Sequence, residues 1–195
     1  MEIMSGERLR AVLLAVVFVL TLLGALVNTI FGISPDLPRF GPEITDSVVL
    51  AVSAVAVLYE WLIYRFLSRR LKARRDVASW AWYLNAFVET SIPTVAIYFV
   101  GWSTGDPVEA LTSPFLILYF IFLLLSVLRL RMDIGLFTGV VAAGQYLILS
   151  LVLIDTFPVS GNLEDGFLFS FYVERSASLL LGGIGAGLVA RELRQ

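Results

Sequence analysis

The sequence predicts an all-α protein, an integral membrane bundle of six transmembrane helices with both the N and C termini cytoplasmic. Hydrophobic residues form 58% of the 195-residue chain and its mean hydropathy is +0.88, which is more apolar than a soluble domain of this size tolerates. Six stretches are long and apolar enough for helical spans, each of which needs about 20 residues. Most of the 14 basic residues fall at the termini and in alternate joints, which the positive-inside rule places in the cytoplasm.

The six predicted spans follow one another in a single transmembrane domain, residues 1–195. Their expected ranges are about 9–32, 46–68, 78–101, 110–130, 134–155 and 167–190. The first is longer than the apolar core of a signal peptide and is therefore expected to be retained. The joints are short and rich in residues that favour turns, such as Gly, Pro, Asp and Ser. The protein is thus predicted to be multi-pass, with the lipid bilayer as its main partner.

A basic run follows the second span. Such runs set topology and attract anionic lipid headgroups, so we expect anionic lipid at its five central basic residues. These are Arg69, Arg70, Lys72, Arg74 and Arg75. No nucleic-acid partner is predicted, because no separate domain accompanies the run.

The chain carries no motif of catalysis. It has no cysteine and no histidine, which excludes thiolate chemistry and histidine ligation of haem or zinc. A Gly-rich phosphate loop and the GxSxG, HExxH and CxxC patterns are also missing. We therefore predict no enzymatic activity for this chain, no cofactor and no metal site.

The third span contains the polar sequence NAFVETSIPT. Asn85, Glu89 and Pro93 are spaced i, i+4, i+8, so they fall along one helix face. Counted from Ser79, Glu89 lies roughly 15 Å into the bilayer, near its midplane. Pro93 removes the backbone bond to the carbonyl of Glu89 and predicts a kink there, with Thr90 or Ser91 helping to satisfy the freed group.

Other spans bring polar groups to similar depths. We expect an interior network whose members are Glu60, Asn85, Glu89, Gln145 and Arg175, with Glu174 as a further candidate. In this prediction Arg175 descends from the outer side and pairs with Glu89. Three interpretations stay open: a structural network that fixes helix register, a site for a small molecule or lipid headgroup, and a proton-sensitive carboxylate.

Small residues indicate where helix backbones approach closely. In the sixth span Gly183 and Gly187 form one GxxxG register, and Gly182 and Ala186 form a second. The fifth span repeats small residues every four positions from Gly135. These contacts can lie within the bundle or form the seam of a homodimer, and the sequence favours neither.

The segment NAFVETSIPT resembles the third membrane helix of the six-helix sensor domains that precede the catalytic domain of bacterial class III adenylate/guanylate cyclases. The resemblance extends to SPFLILYFIFLLLSVLRLRMDIGLFTGVVAAGQYL, to the glycine-rich last helix and to the ending VARELRQ, and so covers most of residues 80–195. It implies a membrane sensor and anchor in the bacterial inner (cytoplasmic) membrane. It further implies a homodimer whose sixth helix passes a signal to a C-terminal cyclase domain that makes cAMP.

No part of the chain resembles the cyclase catalytic domain, so we expect this chain to be the membrane part of a longer protein. A small hydrophobic or lipid-like ligand is an expected partner of the sensor. Alternatives are an input domain for a kinase or diguanylate cyclase, a purely structural anchor, and a small transporter or channel subunit with a polar intramembrane path. The transporter alternative predicts internal repeats, for which residues 1–100 and 101–195 show no convincing match.

Overall fold

The computed structural model describes residues 2–31, 44–73, 77–157 and 165–194, and within these ranges the fold is helical, without strands. These described ranges form seven α-helices and one 3-10 turn, Val127–Arg129. The α-helices are α1 (Glu2–Phe31), α2 (Ile44–Lys72), α3 (Ser79–Thr104), α4 (Pro107–Leu111), α5 (Leu116–Ser126), α6 (Met132–Thr156) and α7 (Asp165–Glu192). The all-α prediction is confirmed for the part of the chain that the structure describes.

Among the residues that the structure describes, five helical segments are long and apolar enough to cross a membrane. They are Val49–Lys72, Ser79–Thr104, Pro107–Arg129, Met132–Thr156 and Ser170–Glu192. The helix α1 has 30 residues but is not among the five. These helices indicate a membrane protein by their length and composition, whereas the sixth span and the cytoplasmic placement of both termini remain predictions.

The chain divides into two compact units, Met1–Val77 and Ala78–Gln195. In the first unit α1 packs along α2. In the second, α6 packs most extensively on α7 and also on α3, while α5 contacts α3, α6 and α7. The organisation of the chain as a single domain stays a prediction.

The fourth predicted span is interrupted near its start. Asp106 caps α4, accepting a hydrogen bond from the backbone N–H of Val108 at 2.8 Å. Pro114 has no N–H with which to continue this helix, and Ser113 donates to the carbonyl of Ala110 at 3.1 Å instead. The backbone begins again as α5 at Leu116. The span is thus a short helix, a break and a longer helix.

Glycines bring α6 and α7 into direct backbone contact. A Cβ atom on Gly139 would lie 2.6 Å from the Cα of Gly183, and one on Gly135 would lie 2.8 Å from the Cα of Gly187. Gly182 instead lies beside Leu123 of α5. Ala186 of the second register is buried. Within the described residues, the close approach of Gly183 and Gly187 is therefore made inside one chain, as the bundle alternative predicted, and a homodimer has to use other surfaces.

Candidate functional site

The polar face of α3 lies in the interior of the second unit. Asn85, Glu89 and Pro93 are all buried, as expected for residues spaced four apart on one face. Asn85 Nδ2 donates to Glu89 Oε1 at 2.7 Å. This i, i+4 hydrogen bond holds the carboxylate against its own helix and leaves the second oxygen, Oε2, for another partner.

That partner is Arg129, at the end of the 3-10 turn. Its Nη2 donates to Glu89 Oε2 at 3.0 Å, with the two side chains 1% and 3% exposed. Its Nη1 donates to the backbone carbonyl of Trp82 at 3.4 Å. An isolated carboxylate or guanidinium at this depth would cost at least a few kcal/mol, and pairing them with hydrogen bonds compensates for that cost.

The turn between α5 and α6 places one arginine, Arg129, in the interior and another, Arg131, nearer the surface. Leu130 adopts a left-handed conformation with φ of +52°, and its N–H donates to the carbonyl of Val127 at 2.9 Å. Arg129 before it is buried, whereas Arg131 after it is partly exposed and pairs with the carboxylate of Asp133. A left-handed leucine is uncommon and carries a conformational cost on the order of 1 kcal/mol. The buried ion pair supplies a physical reason for retaining it.

Arg131 forms the exposed counterpart of the buried pair. Its Nε donates to Asp133 Oδ1 at 3.1 Å, and the hydroxyl of Tyr83 donates to Asp133 Oδ2. The hydrogen bond with Asp133 raises the pKa of Arg131 above its ordinary value, so this residue stays charged. The two side chains are 20% and 49% exposed, and solvent screening makes such a pair contribute little to stability.

The structure corrects the expected pairing of Glu89 with Arg175. In the described part of α7, the guanidinium of Arg175 lies 4.2 Å from the ring centroid of Phe171 and within electrostatic reach of the hydroxyls of Tyr146 and Tyr172. Counting residues along each helix places Arg175 and Glu89 at similar depths in the bilayer. Such a count does not show in which direction around the bundle each side chain points. From the sequence alone, Arg129 counts only among the basic residues of the fourth joint that the positive-inside rule places in the cytoplasm, and its pairing with Glu89 is not predicted.

One signal for Arg129 was present in the sequence. Two residues advance a helix by about 200°, so the arginines of the RLR segment cannot share one helix face. At the end of an apolar span, one of them has to point towards the interior or the lipid. A buried acceptor such as Glu89 makes the interior the better environment.

A second polar cluster surrounds Gln145 of α6. Gln145 Nε2 donates to Ser91 Oγ at 2.8 Å, and Gln145 Oε1 accepts from Thr94 Oγ1 at 2.9 Å. The hydroxyls of Thr94 and Tyr119 are 2.6 Å apart. Each hydroxyl has one proton, so the geometry fits a directional chain in which Tyr119 donates to Thr94, Thr94 to Gln145 and Gln145 to Ser91. The cluster ties α3, α5 and α6 together.

The hydroxyls near Pro93 do not serve the carbonyl that they were expected to serve. Thr90 donates to the carbonyl of Ala86 at 2.9 Å, and Ser91 donates to that of Phe87 at 2.8 Å. Both bonds point one turn back along α3 and not to the carbonyl of Glu89. The helix continues from Ser79 to Thr104 through Pro93, and the predicted kink stays a prediction.

The remaining candidates lie apart from the pair. Glu60 is fully buried on α2 in the first unit. Glu174 is exposed on α7, and its backbone carbonyl accepts a hydrogen bond from Ser178 Oγ at 3.0 Å. Arg69, Arg70 and Lys72 occupy the last turn of α2, whereas Arg74 and Arg75 lie outside the described residues. Among the described residues no group of three acidic side chains could hold a metal ion.

Two polar centres therefore organise the second unit: a buried ion pair with Asn85, and a neutral hydrogen-bonded cluster around Gln145. Together with helices long and apolar enough to cross a membrane, they indicate a membrane protein with a buried ion pair inside its second unit. No protein-family model matches the chain, and neither a curated protein nor a solved structure matches it.

Proposed function

We propose that this chain is the membrane sensor and anchor of a cyclase-type signalling protein, placed in the bacterial inner membrane with both termini cytoplasmic and working as a homodimer. The observation that carries the proposal is the buried Glu89–Arg129 pair with its Asn85 partner. Charged residues inside membrane helices are costly and commonly mark functional positions. The resemblance of NAFVETSIPT to cyclase sensor domains supports the same conclusion.

The position of the pair supplies a physical route to the end of α7. Arg129 lies three residues before α6, so a movement of its side chain acts on the start of that helix. Because Gly135 and Gly139 of α6 lie against the backbone of α7 without intervening side chains, α6 cannot shift without displacing α7. In this mechanism α7 passes the displacement to an output domain beyond it.

The signal is a difference in affinity between two arrangements of the bundle. In one arrangement Arg129 pairs with Glu89, and in the other the 3-10 turn is reoriented and the pair is broken. A ligand or lipid that binds one arrangement better shifts the populations towards it, and a hundredfold preference corresponds to about 2.7 kcal/mol. A ligand that binds both equally shifts nothing.

The test joins a class III cyclase catalytic domain to the end of α7 in helical register and measures cAMP formation in bacterial membranes. Glu89→Gln and Arg129→Gln are each expected to change activity severalfold at equal protein level, because each removes one partner of the pair. Asp133→Asn is the matched control, since it removes one partner of the exposed pair on the same turn. Equal activity in all three variants and the parent would support a purely structural anchor instead.

The cluster around Gln145 favours a second candidate, a small transporter or channel subunit. Its hydroxyl and amide groups form a continuous hydrogen-bonded chain from Tyr119 through Thr94 and Gln145 to Ser91, and a proton path needs such continuity. The chain reconstituted in vesicles with an internal pH dye tests this function. Proton flux that Gln145→Leu abolishes would favour the transporter, whereas a tight vesicle supports the sensor. An input domain for a kinase or diguanylate cyclase would share the mechanism and differ in its output.

A further inference from the structure

The first unit contains an open groove between α1 and α2 with a volume of about 340 Å³. Ala11 and Ala15 of α1 and Val57 and Trp61 of α2 are among its lining residues, and the lining is almost wholly apolar. Leu20 borders the groove and is 63% exposed, so the groove is open to its surroundings. Because α2 contains a candidate membrane span, we expect the groove to face lipid.

One end of the groove is positively charged. Arg8 lies one turn before Ala11, and its Nη2 donates to the hydroxyl of Tyr64, which lines the groove, at 3.3 Å. The guanidinium of Arg65 lies 5.1 Å from the ring centroid of Trp61, another lining residue. The last turn of α2 adds further cations at the same end. The groove is therefore amphipathic, with an apolar channel and a cationic mouth.

We propose that this groove binds one anionic phospholipid, with an acyl chain along α1 and α2 and the phosphate at Arg8 and the Tyr64 hydroxyl. From Ala11 to Leu20 the groove follows α1 for roughly 14 Å, which is close to half of the hydrocarbon core, the depth of one leaflet. The guanidinium of Arg8 donates to a phosphate in the geometry that arginine favours, and the Tyr64 hydroxyl adds a second donor.

The site differs from general attraction of lipid to a basic run, because it combines a channel of leaflet depth with a charge at one end. Glu60 also borders the groove, but its side chain is fully buried. It lies one helical turn deeper than Tyr64, beside the acyl part of the site. The phosphate and this carboxylate are thereby kept apart. The site involves the first unit alone and does not depend on the proposed sensor function.

The test titrates phosphatidylglycerol into the full chain in detergent and counts bound lipid by native mass spectrometry. We expect one saturable lipid, with phosphatidylcholine binding at least tenfold more weakly. Ala15→Phe fills the groove without changing charge and should weaken binding about tenfold or more. Ala51→Phe is the control, because Ala51 is exposed on α2 and does not line the groove. Helical content by circular dichroism verifies that each variant is folded. Val16→Phe repeats the test at a lining residue that is exposed.

The charge test compares two arginines of the first unit that lie over aromatic rings. Arg8 lies 5.2 Å from the Tyr64 ring centroid, and Arg70 lies 5.2 Å from that of Phe66, which does not line the groove. Arg8→Gln should weaken phosphatidylglycerol binding about tenfold, the loss of one charge-assisted contact. Arg70→Gln should weaken it by no more than the roughly fivefold that a surface cation contributes. Equal effects of Arg8→Gln and Arg70→Gln, equal effects of Ala15→Phe and Ala51→Phe, or equal binding of both lipids would overturn the proposal.

Discussion

Replacing Glu89 by glutamine removes a carboxylate from the buried guanidinium of Arg129 and should strongly destabilise the second unit. The two charged atoms are 3.0 Å apart, and both side chains are almost fully buried. At an effective dielectric constant of about 20, this separation corresponds to about 5 kcal/mol of attraction. Removing one partner of a buried pair typically costs about 3–5 kcal/mol, and we expect Glu89→Gln and Arg129→Gln to fall in this range.

The double variant Glu89→Gln with Arg129→Gln shows whether the two side chains interact directly or contribute to stability independently. When both charges are removed, neither remains to be compensated, so the double variant should lose clearly less free energy of unfolding than the sum of the single variants. We expect a coupling energy of about 2 kcal/mol, within the range for residues in contact. Replacing both residues by leucine should be close to neutral in stability, because apolar groups can replace a buried pair without great loss.

The assay is a titration of the purified chain from mild detergent into sodium dodecyl sulfate, followed by circular dichroism. The double variant Arg131→Gln with Asp133→Asn serves as the exposed control and should change the free energy of unfolding by less than about 1 kcal/mol. If the effects at Glu89 and Arg129 add within about 0.5 kcal/mol, the two residues do not interact and the argument from the structure is wrong.

Three further substitutions test other parts of the second unit in the same titration. Gly183→Ala places a methyl group against the backbone of Gly139 and should lower the free energy of unfolding by about 1–3 kcal/mol. The control Gly144→Ala fills open space and should be neutral or slightly stabilising. Equal effects of the two substitutions would contradict the close contact. Gln145→Leu should cost about 1–3 kcal/mol, because it removes two hydrogen bonds to the partly buried hydroxyls of Ser91 and Thr94, each worth about 0.5–1.5 kcal/mol. A neutral result would contradict the cluster. Asp106→Ala removes the N-cap of α4 and should lower the free energy of unfolding by about 1 kcal/mol. Asp106→Asn keeps a capping side chain and should retain most of this stability. An equal loss in both variants would contradict the capping role.

Much of the helical architecture follows from the sequence. A run of about 20 apolar residues has to satisfy its backbone hydrogen bonds internally in lipid, and only a helix does so within one segment. The predicted ranges of the second, fifth and sixth spans accordingly fall inside α2, α6 and α7, and that of the third begins one residue before α3. The interruption at Pro114 departs from the expected fourth span, because hydropathy does not register a missing N–H.

The candidate site shows the limit of this reasoning. Asn85 and Glu89 can be recognised from the sequence because polar side chains inside an apolar span carry a free-energy cost, and this cost is visible in a single segment. Their hydrogen bond is also local, as it joins residues four apart on one helix. Arg129 was not found as a partner, because pairing across 40 residues depends on how the helices are arranged around one another.

The sequence by itself therefore determined the apolar character that indicates a membrane protein, the helices and the polar face of α3. The first depends on composition, and the other two depend on interactions within about one helical turn. Only the tertiary structure decided that Glu89 meets Arg129 and not Arg175, and that Gly183 lies against Gly139 of the same chain. Depth along a helix can be counted at 1.5 Å per residue. Direction around a bundle is decided by the packing of all its helices together, and this packing joins residues that are distant in sequence.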